Sequence, residues 1–587
     1  MPEIDITHIP FSRYGAYVAV TRDKIPGGTE YAKVLTIHTV RRRFEEGALF
    51  TLSFGAEEPE DFEVSAVPEA ITVSNEHGKA RIYIRDDNTV TVDSRGLDLC
   101  IRLRSFGYGT EMAEGSFRMI APHLSLIATV AAPMGEAFTD GPVQGQKWGE
   151  RDYKTAVRVR CKDGAAQLAL MIRPCEPGKI TLPLCPEEEI AQIRAEWEEF
   201  LAFMPDLPAA DAETENFNLV TWYNLFSSFV RAEGDYKNDT MLMSKKTMSS
   251  TWSWDHCFNA LAMAEMKTLE SDPDRRARVA LGQFSAPFYL QTPLGVLPDM
   301  WNPGLETRWG TMKPPIHGWC FEKLMDRFWI DRDTLTEIYF WLEKWTNWWM
   351  KECDTDGDGI PDYPQGCDSG WDNSTLFDIG YYLESPDLPA FLILQMRALA
   401  HLADKLTAWP VVTGKPWEAR RDEWLAEADA LLERFLAHSW NGERFVAKLS
   451  GSHRYEEEPT SLLSLMPLVL GDLLPKEIRD KLAAVLERDF LTENGFATEM
   501  PASPKYESDG YWRGPIWAPS TYLLVDGLRR GGYHELAEKA ARRYTEMSCR
   551  KAKGNYENFD ALTGKGWRAP GYTWSASVYL LLQKEFG

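Results

Sequence analysis

The chain has no run of roughly 20 consecutive apolar residues, the length a helix needs to cross a bilayer, so no membrane partner is expected. It also lacks an excess of basic charge. Its 64 Lys and Arg face 88 Asp and Glu, leaving a net charge of −24, whereas nucleic-acid binding relies on clustered cations that release counterions from the phosphates. No nucleic-acid partner is expected either. Nine cysteines without a CxxC pair speak against a zinc ribbon, and the odd number speaks against a closed disulfide framework. The opening MPEIDITHIPFSRYGAYVAV has neither a basic n-region nor an apolar h-region. The expectation is a cytoplasmic protein, although a mature chain freed of its signal would read the same way. Oligomeric state leaves no trace in the sequence.

What is present divides in two. At 587 residues the chain exceeds what one hydrophobic core usually supports. Up to about residue 185, short runs rich in β-branched and aromatic residues alternate with turn residues: 16–21, 70–73, 80–84, 89–92, 97–102, 124–128, 156–161 and 166–172. His77-Gly78, Asp87-Asn88 and Asp163-Gly164 supply turns between such runs. This predicts an antiparallel β-sandwich over 1–185. Residues 186–208 open with a Glu-rich amphipathic stretch and end in Pro205-Asp206-Leu207-Pro208, predicting a helical linker. Over 209–587 the apolar spacing becomes helical, as in Leu335, Ile338, Leu342, Trp345 and Trp349 behind a cap at Asp333 or Thr334. Roughly a dozen helices of about 12 to 20 residues suit a closed (α/α)6 barrel. An irregular helical bundle is the alternative.

The chemistry-bearing residues fall in the long loops of the second half, where rigid scaffolds display function. In STWSWDHCFN, Trp252, Trp254 and Asp255 combine flat faces with a carboxylate, the pair a sugar ring needs for stacking and hydroxyl bonding. In LPDMWNPGLETRWGTMKPPIHGW, Trp301 and Lys313 are candidate ligand contacts. Cleaving a glycosidic bond takes one carboxyl group to protonate the departing oxygen and a second to activate water or attack carbon. Asp372 in GWDNS, flanked by Trp371 and Asn373, is the candidate proton donor. YWRGPIW contributes Trp512, Arg513 and Trp517. GNYENFDALTG contributes Glu557 as the second carboxylate, a choice that composition alone leaves open against Glu507, Asp509 and Asp560. Just before Asp372, Asp354, Asp356, Asp358, the carbonyl of Ile360 and Asp362 follow a calcium-loop spacing with Gly359 at its turn. Position 12 is Gln365 where Glu is expected. The expectation is a structural calcium, with no cofactor for the chemistry.

Taken in order, SWDHCF, KPPIHGW, DSGWDNS, YWRGPIW and NYENFDALTG resemble glycoside hydrolase family 63, with kinship to the family 37 trehalases. The resemblance covers roughly residue 221 to the C-terminus and implies an inverting exo-α-glycosidase on an (α/α)6 barrel. It makes Asp372 the general acid and Glu557 the general base. It sets Trp254, Asp255, Trp371, Trp512, Arg513 and Trp517 around the cleaved sugar, and it supports a calcium near the Asp loop. Where relatives often carry a basic residue this chain has Leu376, so its leaving-group preference is open to difference. The expected substrate is an α-glucoside, a di- or oligosaccharide. The alternatives are glucosylglycerate or mannosylglycerate, for which Lys313 and Arg308 are the available cations, a rhamnosidase-like toroid, and a non-catalytic carbohydrate-binding protein.

Overall fold

The computed structural model describes residues 1–24, 32–41, 49–55, 59–104, 107–140, 155–174, 176–303, 306–410 and 414–587. The chain forms two compact units. The first comprises Met1–Met204, Leu219–Ser250 and Asn302–Glu306, and the second Pro205–Asn218, Thr251–Trp301 and Thr307–Gly587.

The first unit is antiparallel β-structure. A six-stranded sheet runs in the order Val18–Thr21, Leu35–Thr39, Phe50–Phe54, Leu99–Leu103, Ala156–Arg160, Glu136–Asp140. An eight-stranded sheet runs Glu63–Val67, Ala70–Asn75, Gly78–Asp86, Thr89–Arg95, Ala165–Pro174, Leu126–Met134, Ser116–Ala121, Tyr108–Ala113. Turn chemistry fixes the register. Lys162 bridges Ala165 across Asp163 (φ 52°) and Gly164 (φ 75°), and two successive positive φ values match the right-handed strand twist. Asp87-Asn88 likewise joins Asp86 to its partner Thr89.

The helix Pro186–Phe203 belongs to this unit. Its buried face, Ile190, Ile193, Trp197, Phe200 and Phe203, repeats at helical spacing. Ile190 and Ile193 pack on Ala70 and Tyr83 of the eight-stranded sheet, and the Tyr83 hydroxyl donates to Glu189 at 2.6 Å. Glu187 and Glu189 add ion pairs to Arg81 and Arg85 of the same sheet, at 2.6 and 2.8 Å.

The second unit is mainly helical, with helices Asp255–Met263, Arg275–Ser285, His317–Met325, Arg332–Glu352, Asp387–Leu406, Trp417–Ser439, Lys476–Val485, Ala518–Arg530, His534–Glu546 and Thr573–Phe586 among its elements. Several sequence neighbours pack together, among them Asp387–Leu406 with Trp417–Ser439 and Ala518–Arg530 with His534–Glu546, and the last helix packs against Asp255–Met263. In Arg332–Glu352 the apolar stripe from Leu335 to Trp349 is buried as expected. Its cap, however, is Asp331, whose carboxylate accepts the amides of Asp333 and Thr334, both at 3.0 Å. Asp331 alone has the extended backbone that aims a side chain back at the first turn. No described helix is long and apolar enough to cross a membrane, and the described cysteines are free thiols.

Candidate active site

Five segments of the second unit converge at the starts of its helices. Trp254 immediately precedes the helix Asp255–Met263, Lys313 precedes His317–Met325, and Trp517 precedes Ala518–Arg530. Asp372 follows the short helical turn Gly366–Ser369, and Glu557 lies on the strand Tyr556–Phe559, which pairs with Gly566–Pro570 ahead of the last helix.

The loop that carries Asp372 is shaped by close packing. Gly370 sits at φ 74°, where side chains are strained, and a Cβ there would meet Trp254 Cζ2 at 2.7 Å. The missing side chain lets the indole lie against the turn. The Trp371 amide then donates to Ser369 Oγ at 3.1 Å, and the Ser374 amide to the Trp371 carbonyl at 2.8 Å, closing the turn round Asp372.

Asn373 ties this loop to 506–517. Its amide nitrogen donates to the Gly510 carbonyl at 3.0 Å, and its side-chain oxygen accepts the Trp512 amide at 2.9 Å. The structure thus commits the carboxamide to two backbone groups, a clip where the sequence suggested a sugar contact. Arg513 behaves similarly, donating from Nε to the Asn373 carbonyl at 2.7 Å and pairing with Asp378.

The indoles form a block. Trp512 and Trp517 stack with centroids 3.9 Å apart and planes 6° from parallel. Trp371 leans on Trp512 at 4.6 Å, and Trp254 meets Trp574 edge-on at 5.8 Å. Trp301 and Trp517 expose nothing at all. Trp301 was expected at the ligand but is a core residue, on a strand where it pairs with Thr251. Trp252, beside it in the same small sheet, is half-buried. The segment between Trp252 and Asp255 is braced from behind, where His256 donates to the Trp252 carbonyl at 3.2 Å and His317 to the Ser253 carbonyl at 2.6 Å. Burial pushes His256 down to about 4, so it braces as a neutral ring.

The carboxylates lie among these walls. Lys313 is buried and donates to the Cys367 carbonyl at 2.8 Å, with its ammonium 3.2 Å from Asp299 and 3.9 Å from Asp372. Tyr511 donates to Asp372 at 3.2 Å. Burial raises Asp372 above the usual carboxylate range, opposed by the Lys313 cation and the Tyr511 bond. Burial also pushes Glu557 up to about 7, opposed by the Ala569 backbone and Arg568 and assisted by the charge of Asp372. The negative charge of Asp372 thus discourages ionisation of Glu557. Asp255, at the floor, is pushed well above its ordinary range by burial.

The other candidate carboxylates are engaged elsewhere. Asp560 accepts the amides of Leu562 and Thr563 at 2.8 and 2.6 Å, Asp509 pairs with Arg568, and Glu507 and Asp509 are exposed. Glu557 is 6% exposed and interacts electrostatically with Asp372 and Tyr511.

Sequence reasoning missed Tyr511, Arg568 and Asp299. Tyr511 and Arg568 both adopt φ 64°, an uncommon backbone for such side chains, and the Arg568 guanidinium lies 4.7 Å from the Tyr511 ring. Strain of this kind gathers at functional sites, but no residue pattern announces it. Leu376 is buried in the turn Thr375–Ile379.

Comparison with known proteins agrees with this architecture. The chain is 23% identical over 420 residues to the mannosylglycerate hydrolase of Rubrobacter radiotolerans, covering 56% of this chain and 89% of that one. It is 27% identical over 277 residues to the periplasmic trehalase of Pseudomonas aeruginosa, where the match spans 45% of this chain and about half (49%) of the relative. The crystal structure of the family 63 mannosylglycerate hydrolase from Thermus thermophilus in complex with glucose superposes with a TM-score of 0.50 at 19% identity, covering 62% of this chain and 99% of that one. Residues 248–575 match the mannosylglycerate hydrolase MGH1-like glycoside hydrolase domain, and the chain therefore belongs to that MGH1-like family, within glycoside hydrolase family 63 and related to the trehalases.

Proposed function

We propose that this protein is an exo-acting α-glycoside hydrolase that works by inversion, with Asp372 as general acid and Glu557 as general base. The observation that carries the proposal is the carboxyl pair of half-buried Asp372 and buried Glu557, set against one wall of indoles with Tyr511 bonded to the acid. Its scaffold is an (α/α)6 barrel that follows an N-terminal β-sandwich in the sequence, a reading supported by the last helix packing on Asp255–Met263 and by the two antiparallel sheets.

The roles are those that the family resemblance implies, and burial raises both carboxyls. A base is most effective when its pKa lies near the working pH, and Glu557, held near 7 by burial, is strongly basic for a carboxylate yet substantially ionised at neutrality. Asp372 must keep its proton until the glycosidic oxygen takes it. Burial favours that state, and substrate entering the pocket displaces further water from around the carboxyl. In the single displacement, Glu557 draws a proton from water, the water oxygen bonds to the anomeric carbon, and the carbon–oxygen bond to the leaving group breaks as Asp372 protonates it. Tyr511 steadies the Asp372 carboxyl through its hydrogen bond to Oδ2. Asp255, Trp254 and Trp371 are positioned to receive the sugar that is cleaved.

The leading substrate is a small α-glucoside, a di- or oligosaccharide. A glycosylglycerate is the second reading, favoured by the relatives named above. It requires a cation for the glycerate carboxylate, and Lys313 is already committed to Asp299, Asp372 and the Cys367 carbonyl. A panel of α-glucosides, α-mannosides and their glycerate conjugates, with detection of released sugar, separates these readings. Binding without release of sugar would instead identify a carbohydrate-binding protein.

A further inference from the structure

Glu557 owes its place to an irregularity in a small sheet. Along the strands Tyr556–Phe559 and Gly566–Pro570, Tyr556 faces Pro570 and Asn558 faces Trp567, so Glu557 alone stands opposite two residues, Arg568 and Ala569. That is a β-bulge, and its first residue, Arg568, is left-handed at φ 64°. Glycine is the usual occupant of such a position, because a Cβ is strained there. Bulges beside active sites re-aim side chains. Here the extra residue brings the Ala569 amide to the Glu557 carboxylate, to which it donates a hydrogen bond.

A glycine would make the same bulge with less strain, so what the arginine adds is its side chain. The guanidinium lies 4.7 Å from the centre of the Tyr511 ring. It also holds the loop that carries this tyrosine, donating from Nη2 to the Asp509 carbonyl at 3.2 Å and pairing with Asp509 Oδ1 at 3.0 Å. Tyr511 is left-handed too, at φ 64°, and its carbonyl accepts the Trp517 indole N–H at 2.8 Å. Its hydroxyl donates to Asp372 Oδ2 at 3.2 Å. Loop and strand are joined directly where the Ile516 amide donates to the Phe559 carbonyl at 2.7 Å and the Phe559 amide to the Ile516 carbonyl at 3.0 Å. The backbone of Arg568 thus serves Glu557, while its side chain serves Tyr511 and through it Asp372. A planar guanidinium can cover an aromatic face while its edge donates, which a compact ammonium cannot do.

We propose, on the reading of Asp372 and Glu557 as acid and base, that Arg568 is a positioning residue for both, holding Glu557 through the bulge and Asp372 through Tyr511. Its cation also favours the ionised form of Glu557. Asp372, Asp255, Tyr511 and Tyr572 act on Glu557 as well, all of them acids, so loss of the Arg568 charge leaves the base harder to ionise.

The test compares Arg568→Gly, Arg568→Ala and Arg568→Lys with the wild type, beside Glu557→Gln and Asp372→Asn. Circular dichroism and melting temperature establish folding. Values of kcat and KM, and the pH dependence of kcat/KM, are taken on the glycoside of the panel above that the wild type cleaves fastest. Arg568→Gly should melt within a few degrees of the wild type and above Arg568→Ala, because glycine accepts the left-handed backbone. Its kcat should nevertheless fall about 10- to 100-fold, with KM changed far less. The acidic limb of kcat/KM, which reports ionisation of the base, should move to higher pH. Arg568→Lys should bring that limb back through its charge, while kcat stays low for want of the planar group. The same shift should appear without substrate, in the pH range over which stability changes, when Arg568→Gly is measured with and without Glu557→Gln. If Arg568→Gly keeps the wild-type kcat and limb while Glu557→Gln and Asp372→Asn are inactive, Arg568 positions neither carboxyl and this inference alone falls. It also falls if Arg568→Ala melts no lower than Arg568→Gly, since the bulge then does not depend on its left-handed residue. Normal turnover by Glu557→Gln and Asp372→Asn would instead overturn the acid and base assignment, and the role of Arg568 with it.

Discussion

Replacing Gly370 by alanine tests whether the catalytic loop is shaped by its contact with Trp254. The new Cβ would stand 2.7, 3.0 and 3.1 Å from three atoms of the indole, on a backbone at φ 74°. The left-handed conformation costs an ordinary residue about 1 to 2 kcal/mol, and forcing a methyl group into a packed wall costs about 1 to 3 kcal/mol. The sum is a destabilisation of roughly 2 to 5 kcal/mol, or a displaced loop that carries Asp372 with it. A misplacement of about 1 Å at a reacting group can cost on the order of 10²-fold in rate. The assay is a double-mutant cycle with Trp254→Ala, read by denaturant unfolding and by kcat. Trp254→Ala alone should cost about 3 to 5 kcal/mol as a cavity. In that background Gly370→Ala should lose its steric part and retain only the backbone part, a coupling of roughly 1 to 3 kcal/mol. If Gly370→Ala costs the same with and without the indole, or leaves both stability and kcat unchanged, the close approach does not shape the site.

Asp372→Asn and Glu557→Gln should each lower kcat by about 10²- to 10⁴-fold while sugar binding persists in calorimetry. A glycosyl fluoride, whose leaving group needs no proton, should restore turnover to Asp372→Asn but not to Glu557→Gln, and the opposite pattern would exchange the two roles. Glu557 carries a raised pKa of about 7 against 4.5 unfolded, so the folded state binds the extra proton and stability falls as pH rises through that window, by at most about 3 kcal/mol. Glu557→Gln should abolish that fall, visible as melting curves at pH 5 and pH 8 that differ less than in the wild type. Asn373→Ala removes two bonds from the clip to Gly510 and Trp512 and should cost about 1 to 3 kcal/mol with a lower kcat. Unchanged kcat would mean that the two loops hold their places without it.

The first unit was legible because period-two alternation and turn residues act locally: the runs at 70–73, 80–84, 89–92 and 166–172 all lie in strands of one sheet. Glu63–Val67 was not read, since its outward positions are polar and only Ala66 is fully buried. The joining of Leu219–Ser250 to the first unit depends on long-range packing that no local signal carries. At the site, acids framed by glycine and tryptophan could be picked out, but the partners of the tryptophans could not. An indole face is satisfied equally by a sugar ring or another indole, and Trp512 and Trp517 satisfy each other. The bonds of Asn373 were hidden for a related reason: a carboxamide serves a backbone amide as well as a hydroxyl. The Asp loop revealed Asp356 and Asp358, whose ligand atoms lie within 4.8 Å of those of Glu384 and His453. Glu384 and His453 are brought in by the pairing of Leu383 with Leu449, a contact between segments 66 positions apart.

The central claim, one displacement by water across from Asp372, is tested most directly by the anomer first released. Proton NMR of the anomeric signal during the first minutes of hydrolysis of an α-linked substrate, before mutarotation, reads it. A single attack by water activated at Glu557 inverts the carbon and yields the β-anomer. Initial release of the α-anomer would mean a glycosyl-enzyme intermediate and would contradict the assignment of Glu557 as a base.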